Sequence, residues 1–87
     1  MEINYTKKFR KSYRQRIKKN KNLIRKFNDR LQIFLQDSDN PLLKDHKLAG
    51  AKKHLRAFSI TGDIRVIYFL KGNIVNLVDI GTHNQVY

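Results

Sequence analysis

Apolar residues recur along this chain with a helical spacing in its first half and an alternating one in its second. Phe9, Tyr13 and Ile17 fall at i, i+4 and i+8, one face of a helix. Thr6 is placed to cap its start and Asn20 to stop it. A second helix follows over about Asn22–Asp37, with a stripe of Ile24, Phe27, Leu31, Phe34 and Leu35 and Leu23 beside it. The short turn near Lys19–Asn22 makes the two an αα-hairpin. Ahead of them Glu2–Tyr5 predicts a short strand, Ile3 and Tyr5 on one side. Ser38-Asp39-Asn40-Pro41 breaks the pattern, and Leu42–Lys53, with Gly50 and no clean period, predicts an ordered loop. The period then becomes two. His54–Ile60, Asp63–Lys71 and Asn73–Ile80 predict three strands rich in Ile, Val, Phe and Tyr. Thr61-Gly62 and Lys71-Gly72 or Gly72-Asn73 supply the tight turns between them. The last strand is nearly all apolar, which predicts a covered or central position. The order β-α-α-β-β-β describes an α+β domain, two N-terminal helices packed on an antiparallel meander.

Length holds this to one domain over residues 1–87 with one small core, and 40% apolar residues with nine Phe and Tyr suffice to fill it. The absence of Cys excludes disulfides, thiolate zinc sites and Cys nucleophiles. No apolar run approaches the roughly 18 residues of a membrane span. The segment MEINYTKKFRK has no signal-peptide apolar stretch, so a soluble, cytoplasmic protein is expected. Charge changes the picture most. Nineteen Lys and Arg against seven Asp and Glu give +12. Solubility asks a small domain for a net charge of only roughly 2–8. Eleven of the cations lie between Tyr5 and Asn28, where there is no acid. Charge of this size repels itself in the compact state, and a polyanionic partner is the simplest reason to keep it. Nucleic acid comes first, an acidic protein or anionic lipid next.

Chemistry has few places to reside. His46, His54 and His83 form no i, i+3 or i, i+4 pair, and there is no HExxH, Gly-rich phosphate loop or Ser elbow. General acid–base chemistry and phosphate binding remain. His83 follows Gly81-Thr82 just past a strand end, where loops carry function. His46 sits between Lys44 and Lys47 in a polar loop, whereas His54 only opens a strand. Asp63 follows the Thr61-Gly62 turn, where Asp also serves turn chemistry. Arg65 is two residues on and shares its face, so an ion pair and a functional pair are both open. Lys52, Lys53 and Arg56 suit phosphate contact or a solvated face alike. Tyr87 is either frayed or free to stack on a base.

Four motifs in order, Asp45-His46-Lys47-Leu48-Ala49-Gly50, Leu55-Arg56-Ala57, Asp63-Ile64-Arg65-Val66-Ile67-Tyr68 and Gly81-Thr82-His83-Asn84-Gln85-Val86-Tyr87, resemble the RelE superfamily of type II toxin–antitoxin toxins, closest to its YafQ-like branch. The resemblance implies a microbial-ribonuclease-like fold and a ribosome-dependent mRNA endonuclease silenced by a cognate antitoxin, which the charge of +12 predicts to be acidic. It implies a site of His46, Asp63, His83 and Tyr87, with Arg65 matching a strand Arg of RelE itself. His83 would be the general acid and His46 or Asp63 the base, or the two histidines would exchange these roles. Arg65, with Lys52, Lys53 or Arg56, would stabilise the phosphate, and Tyr87 would position the nucleotide. Lys44 and Lys47 flank His46, and Lys7, Lys8, Arg10 and Lys11 on the first helix are set to bind ribosomal RNA through its phosphates. No metal, small-molecule cofactor or membrane is expected. The sequence departs from the branch at Ser59, where members can have His, at Ile64, where they can have Trp, and at Asp79, where some carry Arg. Asp79 is tolerable near a scissile phosphate only if it points to the helices or orients His83 or Arg65. The other readings are a ParE-like inhibitor of DNA gyrase and a basic RNA-binding module without activity.

Overall fold

The computed structural model describes residues 1–87. Its elements are β1 (Glu2–Tyr5), α1 (Lys7–Arg16), α2 (Lys21–Gln36), β2 (His46–Lys47), β3 (Arg56–Ser59), β4 (Ile64–Lys71), β5 (Ile74–Thr82) and α3 (His83–Val86), with single 3-10 turns at Pro41–Leu43 and Gly50–Lys52. The five strands form one sheet in the order β1-β5-β4-β3-β2. β3, β4 and β5 are the expected antiparallel meander, and β5 is an interior strand between β1 and β4. The sheet as a whole is mixed, because β1 pairs with β5 in parallel, Ile3 opposite Val75. The helical hairpin carries the chain across the sheet between them, as a parallel pairing requires.

Local signals account for the boundaries. Thr6 caps α1, its hydroxyl accepting from Phe9 N at 3.2 Å. α1 ends at Arg16, short of Asn20. Asn20 instead starts α2, its side-chain oxygen accepting from Asn22 N and Leu23 N at 3.0 and 3.2 Å. Lys71 and Ile74 close the β4–β5 hairpin around Gly72-Asn73, and Gly72 takes a φ of 59° that favours glycine. β3 begins at Arg56, so His54 lies in a turn before the strand, and β5 continues two residues past Ile80 to Thr82.

The sheet is covered unequally. Phe9, Ile17, Phe27, Leu31 and Phe34 of the helices pack with Phe58, Ile60, Val66, Tyr68, Val75, Leu77 and Ile80 in one cluster. Phe34 stacks on Phe58 and meets Tyr68 edge-on, each at a centroid distance of 4.8 Å. Such pairs add about 0.5–1.5 kcal/mol beyond the area they bury. The alternate strand residues face the other way. There only Leu48, Ala57, Ile67 and Val86 form a second, small cluster. This face carries no long helix, and the single turn of α3 is seated on it through Val86.

Candidate functional site

The loop ahead of β3 places His46. Asn40 and Pro41 start a 3-10 turn, Leu43 is buried, and Lys44 turns the chain with φ 48°. Asp45 and His46 then go to opposite faces of the sheet. The Asp45 carboxylate accepts from Arg56 Nε at 3.1 Å and closely from the Tyr68 hydroxyl. Burial, then the bond to Asp45 and its charge, push the Tyr68 phenol far above its ordinary range, against the opposing effect of Arg56. The Arg56 guanidinium is raised in turn, first by its bond to Tyr68. This cluster anchors the loop. It also engages Arg56, for which phosphate binding was expected: Arg56 is opposite Tyr68 in the register, shares its helix-covered face and is held by Asp45.

His46 is opposite Ala57 and therefore on the open face. Its Nδ1 lies 3.0 Å from Lys44 O. A carbonyl only accepts, so Nδ1 carries the proton in that bond, and in the neutral ring Nε2 keeps its lone pair. Nε2 lies 3.3 Å from the Tyr87 hydroxyl. The other edge of this group is His83, whose ring meets Tyr87 at a centroid distance of 4.5 Å and 76°. Two imidazoles thus flank one phenol. His83 and Tyr87 are presented by α3, where Gln85 Oε1 accepts from Thr82 N at 2.8 Å and Tyr87 N bonds His83 O at 3.0 Å. Tyr87 is therefore held, not frayed. Gly81 allows this packing: a Cβ there would stand 2.6 Å from Gln85 Oε1 and 2.8 Å from an Arg16 nitrogen. Lys52 Nζ donates to Val86 O at 3.2 Å and, with His46, Leu48 and Tyr87, lines a cleft of about 470 Å³.

Arg65 is opposite Ser59 and Gly81, on the same open face. Burial raises the Tyr87 phenol, and the nearby charge of Arg65 acts against that rise. Arg65 bonds the Asp63 carbonyl at 3.2 Å, so the two residues meet through the backbone and not as an ion pair. Asp63 precedes β4, is exposed, and its carboxylate bonds no other side chain. The structure therefore brings His46, His83, Tyr87, Lys52 and Arg65 to one face and leaves Asp63 at the end of a turn. Lys47 is opposite Arg56 and exposed, and Lys53 is exposed at the second 3-10 turn.

Asp79 turns to α1. Its carboxylate accepts from Arg16 at 3.2 Å and from Ile80 N at 2.9 Å, and lies 3.7 Å from Lys8 Nζ. A buried acid among these partners presents no free charge to the open face. Lys8 is thereby partly neutralised, whereas Lys7, Arg10 and Lys11 are exposed and unpaired. Ser59 is buried, and Ile64 packs on the large core. No three His, Asp or Glu side chains converge to hold a metal ion, and no helix is long and apolar enough to cross a membrane.

The contributions of Gln85 and Asp45 are absent from the sequence reading. Thr82-x-x-Gln85 has the spacing of a capping box, which marks the start of α3. Asp45 has no such signal, because its partners lie 11 and 23 residues away.

The family model for the bacterial toxin of type II toxin–antitoxin systems, YafQ, matches residues 1–87. Among solved structures, YafQ from E. coli strain BL21(DE3) superposes with a TM-score of 0.83 at 22% identity, covering 99% of this chain and 97% of that one. The E. coli DinJ-YafQ complex gives 0.81 at 23%, covering 99% and 97%. A metal-bound toxin from Helicobacter pylori gives 0.82 at 26%, covering 100% and 99%. No sequence among curated proteins matches.

Proposed function

The chain belongs to the YafQ family of bacterial type II toxin–antitoxin toxins, and from that premise we propose that it is a ribosome-dependent mRNA endoribonuclease. The observation that carries this reading is the row of His46, Tyr87 and His83 on the face the helices leave open. RNA cleavage without a metal needs a base for the 2′-OH, cations for the phosphorane and an acid for the 5′-oxygen. His46 fits the base, since its bond to Lys44 O keeps the proton on Nδ1, and the Nε2 lone pair, which meets the Tyr87 hydroxyl here, takes the 2′-OH proton once the nucleotide displaces that contact. The 2′-oxygen then attacks phosphorus, and the P–O5′ bond breaks. His83 protonates the departing oxygen. The products are a 2′,3′-cyclic phosphate and a 5′-hydroxyl. Arg65 and Lys52 hold the charge that develops, and Tyr87 orients the nucleotide between the imidazoles. Asp63 has no place in this arrangement unless the ribosome-bound strand reaches the turn.

The residues are spread over a loop, a strand and a terminal turn, so the ribosome completes the geometry by presenting mRNA. The whole of residues 1–87 acts as this one toxin domain, in the cytoplasm, with no small-molecule cofactor or metal. Lys7, Arg10 and Lys11 contact ribosomal RNA. An antitoxin is found with E. coli YafQ. Here the partner is an acidic one, since +12 favours fast capture by opposite charge. Expression of the chain alone, followed by mapping of mRNA 5′ ends, tests the reading. Codon-phased cuts support it. Growth arrest with DNA damage signalling and intact mRNA would replace it with gyrase inhibition.

A further inference from the structure

Three hollows mark the surface, and they differ in lining. The groove between α1 and α2, about 600 Å³, has a floor that includes Phe9, Tyr13 and Phe27. The second is the His46–Tyr87 cleft. The third, about 410 Å³, lies between α2, the first 3-10 turn and the β3–β4 turn, and only two of its nine lining residues are hydrophobic. Lys26, Arg30 and Lys44 line it, with Ser59, Thr61 and Gly62, and no acid does. Lys26 and Arg30 are four residues apart, so they stand on one side of α2. Arg30 is fixed by a 2.7 Å bond to Leu42 O, and its remaining N–H groups are free to donate. Lys44 is held by its left-handed backbone at the end of the 3-10 turn. None of the three cations has an ion-pair partner. Like charges gathered around a hollow and left unneutralised disfavour the empty fold and favour an anion.

We propose that this hollow is a phosphate subsite for the RNA strand whose reacting nucleotide occupies the His46–Tyr87 cleft. The proposal rests on the ribonuclease reading and adds Lys26 and Arg30 to it. Lys44 joins the two places: it lines the hollow, and its carbonyl fixes the His46 ring. The two residues are separated by at most about 7 Å of chain. A phosphate held by Lys26, Arg30 and Lys44 therefore sets the position of the strand relative to the base at His46. An acidic protein segment is the weaker fit, since docked helices need an apolar floor and no aromatic ring lines this hollow to make one.

The test uses a single-stranded RNA of about ten nucleotides, 2′-O-methylated throughout so that it cannot be cut. Its binding is measured by fluorescence anisotropy over a range of salt. The variant is Lys26→Gln with Lys44→Asn, since Asn tolerates the left-handed backbone at position 44. A charge-matched control is Lys21→Gln with Lys71→Gln, both exposed and outside the hollow. Each lost single-strand phosphate contact flattens the slope of log K against log salt by about 0.7, so the double variant should lose about 1.4 and bind about tenfold more weakly. The control should keep the wild-type slope, and both proteins should keep the wild-type melting temperature. Wild-type slope in the double variant would overturn the subsite, as would equal losses in the control. Loss of antitoxin capture with RNA binding intact would assign the hollow to a protein. A wild-type protein that binds no free RNA would overturn the subsite and leave the ribonuclease reading, which asks only that the ribosome present mRNA, whereas an absence of codon-phased cuts in mRNA overturns the reading itself.

Discussion

The two faces of the sheet are made by the same strands and do different work. On the helix-covered face, 13 buried residues form one continuous core in which large rings interlock. On the open face four suffice, and each seats a piece of the site: Leu48 follows His46, Val86 holds α3, and Ala57 and Ile67 form the floor. Polar groups differ in the same sense. Asp45 and Asp79 are tied down by cations or hydroxyls, while His83 and Arg65 keep hydrogen-bonding capacity to spare. Stability comes from the face the helices close, and the proposed chemistry belongs to the face they leave accessible.

That division can be broken from either side. Phe58→Ala removes a ring that stacks on Phe34 and packs at a tilt on Tyr68, and should cost about 3–5 kcal/mol in urea unfolding, a large share of the 5–15 kcal/mol typical of a domain. An equal loss from a substitution on the open face would end the asymmetry. Asp79→Ala strands the partly buried Arg16 and should cost about 2 kcal/mol. Because Asp79 faces α1, ribosome-dependent cleavage measured well below the melting point should change little. Val86→Ala removes two carbons from the small cluster, about 1.5 kcal/mol. Here cleavage should fall by much more than stability does, since Val86 seats the turn bearing His83 and Tyr87. A proportional fall would mean that α3 has no positioning role.

The smallest effect is alkaline. The Tyr68 phenol ionises at its ordinary 10.0 when unfolded and well above that when folded. Between the two values the unfolded chain has released a proton that the folded chain retains, so stability is complete below pH 10.0 and lost as pH rises above it. Tyr68 alone accounts for up to about 1.4 kcal/mol per pH unit. Tyr68→Phe should flatten the fall in melting temperature above that pH, although it costs stability at neutral pH by depriving Asp45 of a donor. An unchanged alkaline slope would exclude Tyr68 as its source.

The sequence carried the helices and the meander because their signals are local: the stripe from Phe9 to Ile17, the Thr6 cap, the change to period two. The parallel pairing of β1 with β5 joins residues 72 apart and leaves no local trace. The placement of Arg56 was legible in principle. Period two puts it on the face of Phe58, a core residue, and so away from the site. Its fixing by Asp45 depends on the β2–β3 register, and β2 has only two residues. His46, His83 and Tyr87 were legible as motif residues, whereas their meeting across 41 residues is a property of the fold.

Single-turnover cleavage of mRNA on programmed ribosomes, comparing wild type with His83→Gln and with the product ends identified, probes the catalytic role of the open face most directly. Gln keeps a hydrogen-bonding amide but cannot supply the proton. His83 is exposed and carries none of the core, so the melting temperature and antitoxin binding should not change. The rate should fall about 10²–10⁴-fold, the usual contribution of general acid catalysis, and wild-type products should end in 2′,3′-cyclic phosphate. Full activity of His83→Gln, or 3′-hydroxyl ends from the wild type, would contradict the account.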